Sequence, residues 1–203
     1  MDARQLGRWI LIAVLVYLTW QVARSPLDSL LSGSLSGSSS GSSSGSWSGS
    51  SSGSLAGSFL HLPNLVFHEA GHILFMPFGR FMTVLGGSLL QVLIPVICAI
   101  AFARQQGDWF GAAVCTWWAG ENFVDLAPYI ADARSLSLTL LGGQTGAEVE
   151  GHDWEYLLTA MGLLHRDVML GQAARVLGTI VMTAAIVWAA MLSWRLGSGN
   201  DGS

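Results

Sequence analysis

Lysine is missing altogether from these 203 residues, and charge of either sign is scarce. Charged side chains make up 11% of the chain. A soluble domain carries about 25%. All nine basic residues are arginines, and they are scattered. No basic patch exists to track a phosphate backbone, which excludes nucleic acid as a partner. Only two cysteines occur, Cys98 and Cys115, both within apolar stretches. They read as buried small hydrophobes rather than as a disulfide or a metal site. What the chain has in quantity is apolar surface: 51% hydrophobic residues and a mean hydropathy of +0.50. This balance predicts an all-α, polytopic membrane helix bundle.

About five spans are expected, near 9–22, 59–78, 81–102, 109–130 and 174–194. Arginines ahead of the first apolar core also fit a signal peptide. No small-x-small site follows directly, so a retained anchor is expected. Pro95 should kink the third span, which membrane helices tolerate when neighbours satisfy the freed carbonyl. Between the first two spans, glycine recurs every fourth residue from Gly33 to Gly57 among serines. That composition predicts a disordered external linker. The chain then divides into an N-terminal anchor (1–31), the Gly/Ser linker (32–58), a three-helix core (59–134), a loop with an interfacial amphipathic helix (135–171) and a C-terminal span and tail (172–203).

Arginine placement suggests an orientation. With the N-terminus inside, Arg4, Arg8, Arg80, Arg134, Arg166 and Arg175 are cytoplasmic, and Arg24, Arg104 and Arg195 are outside. The positive-inside rule favours that arrangement. The expected location is a bacterial inner membrane, multi-pass, with a cytoplasmic N-terminus.

Within the second span stands His68-Glu69-Ala70-Gly71-His72, the pattern H-E-x-x-H. Histidines four apart lie one turn apart on one helix face, so both imidazoles can grip one metal ion. The glutamate between them can reach a metal-bound water and take its proton. Ionisable groups at membrane depth are costly and mark function.

A catalytic zinc usually takes three protein ligands and keeps a fourth position open. The fourth span offers Glu121, Asn122 and Asp125, with Asp132 just beyond it. No lysine or arginine lies inside any span to pair with Glu121 or Asp125, so a metal ion would settle one of them. His72 lies eight residues before Arg80, and Asp125 lies nine before Arg134. If both arginines mark one boundary, Asp125 and His72 differ in depth by about 2 Å. Asp132 reaches the metal only if the helix unwinds after Pro128. His152 is a further candidate if its loop folds back. The neighbouring Asp153 could orient His152, or cap the helix that follows.

In this order of motifs the chain resembles the site-2 protease family of intramembrane zinc metalloproteases. That family carries H-E-x-x-H on one membrane helix and an aspartate ligand two helices later, in a motif similar to N-x-x-P-x-x-x-x-D-G. Here the corresponding stretch runs from Asn122 through Pro128 to Asp132. Asp125 stands where the family's proline would be, and Ala133 replaces the glycine. The resemblance covers about 59–136 and favours Asp132 as the third ligand, whereas depth favours Asp125. It implies Zn²⁺, a membrane-anchored protein substrate in the lipid bilayer, Glu69 as general base and Asn122 as a group holding substrate or oxyanion. Two other readings are an inactive metal-binding membrane scaffold and, less well supported, an ion or proton pathway through Glu69, Glu121 and Asp125.

Overall fold

The computed structural model describes residues 3–24, 60–138, 145–148 and 151–198. The predicted Gly/Ser linker at 32–58 lies outside the described residues. Among the described residues there are six α-helices and no strand: α1 (Ala3–Arg24), α2 (His61–Phe75), α3 (Arg80–Ala101), α4 (Trp109–Ala131), α5 (Asp153–Ala160) and α6 (Asp167–Ser198). The all-α class is therefore as expected.

Local chemistry sets the boundaries. Gly79, at φ +90°, takes a backbone conformation open chiefly to glycine and separates α2 from α3. Gly107, at φ +65°, ends the π-turn that follows α3. Asp108 then caps α4, its carboxylate accepting from the amides of Phe110 at 3.1 Å and Gly111 at 3.0 Å.

Among the described residues, three segments are long and apolar enough to cross a membrane: Ala3–Ala23, Arg80–Gln106 and Leu164–Arg195. The other two expected spans differ for separate reasons. The second is a helix of 15 residues, about 22 Å long at the helical rise, against about 30 Å of hydrocarbon. The fourth has the length but carries Glu121, Asn122 and Asp125, all buried. α4 is the central helix, buried along most of its sequence.

Small residues let the helices approach. A Cβ on Gly120 would lie 2.8 Å from the Gly178 carbonyl oxygen, and one on Gly171 would lie 2.6 Å from that of Ala127. These contacts hold α4 against α6. On the other side of the core, a Cβ on Gly86 would lie 2.6 Å from the Gly71 carbonyl oxygen, which holds α3 against α2. α1 belongs to the same bundle. Its Leu15 and Val22 share a core with Trp117, Val124 and Met182, and the Trp117 indole donates to Thr19 Oγ1 at 2.9 Å.

These contacts also set helix direction, and they regroup the arginines. Arg8 lies over the Phe110 ring at 5.1 Å, Ile12 packs with Ala113 and Ala189, and Arg175 donates to the Val22 carbonyl at 2.6 Å. α1 therefore runs parallel to α4, and α6 runs against both. Arg4, Arg8, Arg104 and Arg195 fall at one end of the bundle. Arg24, Arg80, Arg134, Arg166 and Arg175 fall at the other, tied by the Arg134–Asp167 ion pair at 2.8 Å and by Arg80 over Tyr156 at 4.7 Å. The grouping that joined Arg4 and Arg8 to Arg134 is wrong, because it assumed that 59–78 forms a full span. The near-even division leaves no inward bias.

Candidate metal centre

α2 carries the histidine pair inward. His68 is buried and His72 half-buried, while Leu62, Val66 and Ile73 on the opposite side are exposed. The third group comes from α5. Asp153 Oδ2 lies 2.9 Å from His68 Nε2 and 3.3 Å from His72 Nε2. One ligand atom from each of the three lies within 4.8 Å of the others, so the group could hold a metal ion. Donor atoms around a tetrahedral ion with bonds of about 2.0–2.1 Å stand roughly 3.3 Å apart. The spacing is thus close to what such an ion needs.

The far nitrogen of each imidazole is also engaged. His68 Nδ1 meets Gln91 Oε1 at 3.0 Å, and His72 Nδ1 meets the Thr83 carbonyl at 2.9 Å. Both partners accept, so both Nδ1 atoms carry a proton and both Nε2 atoms are left to face the carboxylate. Gly87 makes the room. A Cβ there would lie 2.6 Å from His72 Nε2 and 2.7 Å from His68 Nε2.

Asp153 is held in place by its surroundings. Its amide donates to the Tyr129 hydroxyl at 3.0 Å. His152, fully buried, caps α5 by accepting from the Glu155 amide at 3.2 Å, and its ring packs against Tyr129 at a tilt of 49°, with centroids 4.4 Å apart. The cap is therefore His152. Asp153 is the first helical residue, and its carboxylate faces His68 and His72 rather than His152.

The other candidates fall elsewhere. Asp125 is not beside the imidazole Nε2 atoms. It accepts from Gln91 Nε2 at 3.0 Å and pairs with His61 Nδ1 at 2.9 Å. Asp132 is also remote from them. α4 continues through Pro128 to Ala131, so the unwinding needed to bring Asp132 to the histidines does not occur. Its carboxylate instead binds Ser135 Oγ, the Ser137 and Leu138 amides and Ser137 Oγ, within 2.5–3.0 Å. His152 Nε2 lies 3.6 Å from Asp132 Oδ2, so His152 too is directed away from the pair. Burial acts to raise the Asp132 pKa, but the facing His152 ring and the hydrogen bonds from Ser135, Leu138 and Ser137 outweigh it and push it well below the ordinary range. Asn122 is fully buried and donates to the Trp118 carbonyl at 2.9 Å. Glu121 accepts from Asn64 Nδ2 at 2.8 Å. Glu69 is exposed and acts electrostatically on His72 and Tyr129.

Sequence reasoning missed Asp153 as a partner of the histidines, and it missed Gln91 entirely. Gln91 had a signal: an amide inside an apolar span needs a polar partner. No protein family matches the chain, and neither does any curated protein or solved structure.

Proposed function

We propose that the protein is a zinc-dependent intramembrane peptidase of the site-2 protease type, with Asp153 as the third ligand beside His68 and His72. The observation that carries this reading is the convergence of both Nε2 atoms on one Asp153 oxygen, next to an H-E-x-x-H glutamate. Bound zinc would supply Lewis acidity toward a peptide carbonyl and a water acidified toward neutrality. Glu69 would take the proton of that water and deliver it to the leaving amine. Its exposed position on α2, flanked by Val66 and Ile73, suits a substrate segment that approaches from within the membrane.

A second reading, a metal-binding scaffold without catalysis, is favoured by Asn122. Its amide is tied to the Trp118 carbonyl, which removes the expected substrate-holding group from the site.

One experiment separates them. Zinc per chain is measured on purified protein, and cleavage is followed on co-expressed single-span membrane reporters. The peptidase reading expects wild type to hold one zinc and cleave, Glu69→Gln to keep zinc and lose cleavage, and Asp153→Asn to lose both. Cleavage by Glu69→Gln at the wild-type rate would end the mechanism. Zinc without cleavage in wild type would leave the scaffold.

A further inference from the structure

A polar chain runs through the bundle from Trp118 to the metal centre, and the chemistry of its end groups fixes the direction of every hydrogen bond. The Trp118 indole can only donate, and it donates to Asn64 Oδ1 at 2.9 Å. The Asn64 amide nitrogen must therefore point the other way, toward Glu121 Oε2 at 2.8 Å and Asp125 Oδ2 at 3.4 Å. Asp125 Oδ2 is thus an acceptor. It also accepts from Gln91 Nε2 at 3.0 Å. With its nitrogen so engaged, Gln91 presents Oε1 to His68 Nδ1 at 3.0 Å. His68 must donate there from Nδ1, which leaves Nε2 as a lone pair.

We infer that Asp125 is a positioning residue that sets the tautomer of His68 through Gln91. This gives a role to a buried carboxylate that does not touch the metal centre. A glutamine alone can present either end of its amide to an imidazole. Only the fixed acceptor on its far side makes the choice. His72 needs no such device, because its Nδ1 faces a backbone carbonyl, which cannot turn round.

The inference rests on the zinc reading above. Zinc affinity is measured by chelator competition on the full-length purified protein, for wild type, Asp125→Asn and the exchange variant Gln91→Glu/Asp125→Asn. In Asp125→Asn the amide of Gln91 is free to turn, and zinc affinity falls by about 10–100-fold, the usual effect of losing an outer partner of a metal-binding histidine. The exchange variant swaps carboxylate and amide. The new carboxylate at position 91 then accepts from His68 Nδ1, the new amide at position 125 donates to that carboxylate, and affinity returns to near the wild-type value. A role in packing alone gives no such rescue. An exchange variant that binds zinc as weakly as Asp125→Asn, or an Asp125→Asn protein equal to wild type, overturns the inference and leaves the zinc site standing. If Asp125→Asn does not fold, the exchange variant decides by itself. Wild type without zinc removes both.

Discussion

Gly87 is the residue at which the metal centre is most sensitive to a single methyl group. A Cβ there would lie 2.6–2.7 Å from both Nε2 atoms, inside van der Waals contact. Alanine is otherwise the better helix former by about 1 kcal/mol. We expect Gly87→Ala to lose zinc and to melt no higher than wild type, because the clash costs about 1–3 kcal/mol and offsets the helix-propensity gain. Gly7→Ala, where a Cβ meets nothing within 4 Å, is the control. Zinc bound at the wild-type level in Gly87→Ala would mean that the ion does not sit between the two Nε2 atoms. The histidine pair itself was legible, because spacing of four on a helix is a local property. Asp153 was not. It lies 85 positions from His68, and only the fold of the intervening chain decides that it arrives there. The depth argument compared straight helices and so chose Asp125, which stands close to the site but one amide away.

At the scale of elements, α5 matters more than its eight residues suggest. It carries Asp153, and its start is fixed from both sides, by Tyr129 beneath it and by the loop that wraps Asp132. The amphipathic pattern after Asp153 was readable: Leu157 and Leu158 are fully buried, and the helix begins where expected. The loop in front of it was not readable, since serines and backbone amides converging on one carboxylate leave no periodic trace. Asp132 gives that loop an acid limit. Its folded-state pKa is depressed, so its contribution is complete above the ordinary aspartate value of about 3.9 and is lost only as pH falls through the lower folded value. We expect the Ser137 and Leu138 amides, both bound to Asp132, to stay protected from hydrogen exchange between neutral pH and about pH 4. They should open in stronger acid. Asp132→Asn should expose them at neutral pH, since the asparagine amide faces donors. Exchange that quickens between about pH 7 and 5, once corrected for the intrinsic rate, would assign the loop to another group.

For the whole molecule, the parallel course of α1 and α4 decides which termini and loops share a side of the membrane. Hydropathy alone could not decide it. A 15-residue helix and a long apolar span look alike in composition when aromatic residues extend the shorter one, as Phe59 and Phe78 do around α2. Counting both as crossings inverts every assignment before or after them. The side-chain contacts do not depend on that count. Thr19 meets Trp117, Val22 meets Arg175 and Trp109 meets Trp188, and no threading that places Arg4 beside Arg166 preserves them. The consequence can be measured with single cysteines in a background where Cys98 and Cys115 are alanine. Arg4→Cys, Arg104→Cys and Arg195→Cys should react alike with a membrane-impermeant maleimide applied to sealed vesicles. Arg134→Cys and Arg166→Cys should respond in the opposite way, becoming reactive only when the first group is shielded. Labelling that groups Arg4→Cys with Arg166→Cys would place α1 outside the bundle described here. It would also remove the Thr19–Trp117 contact that joins α1 to the helix behind the metal centre.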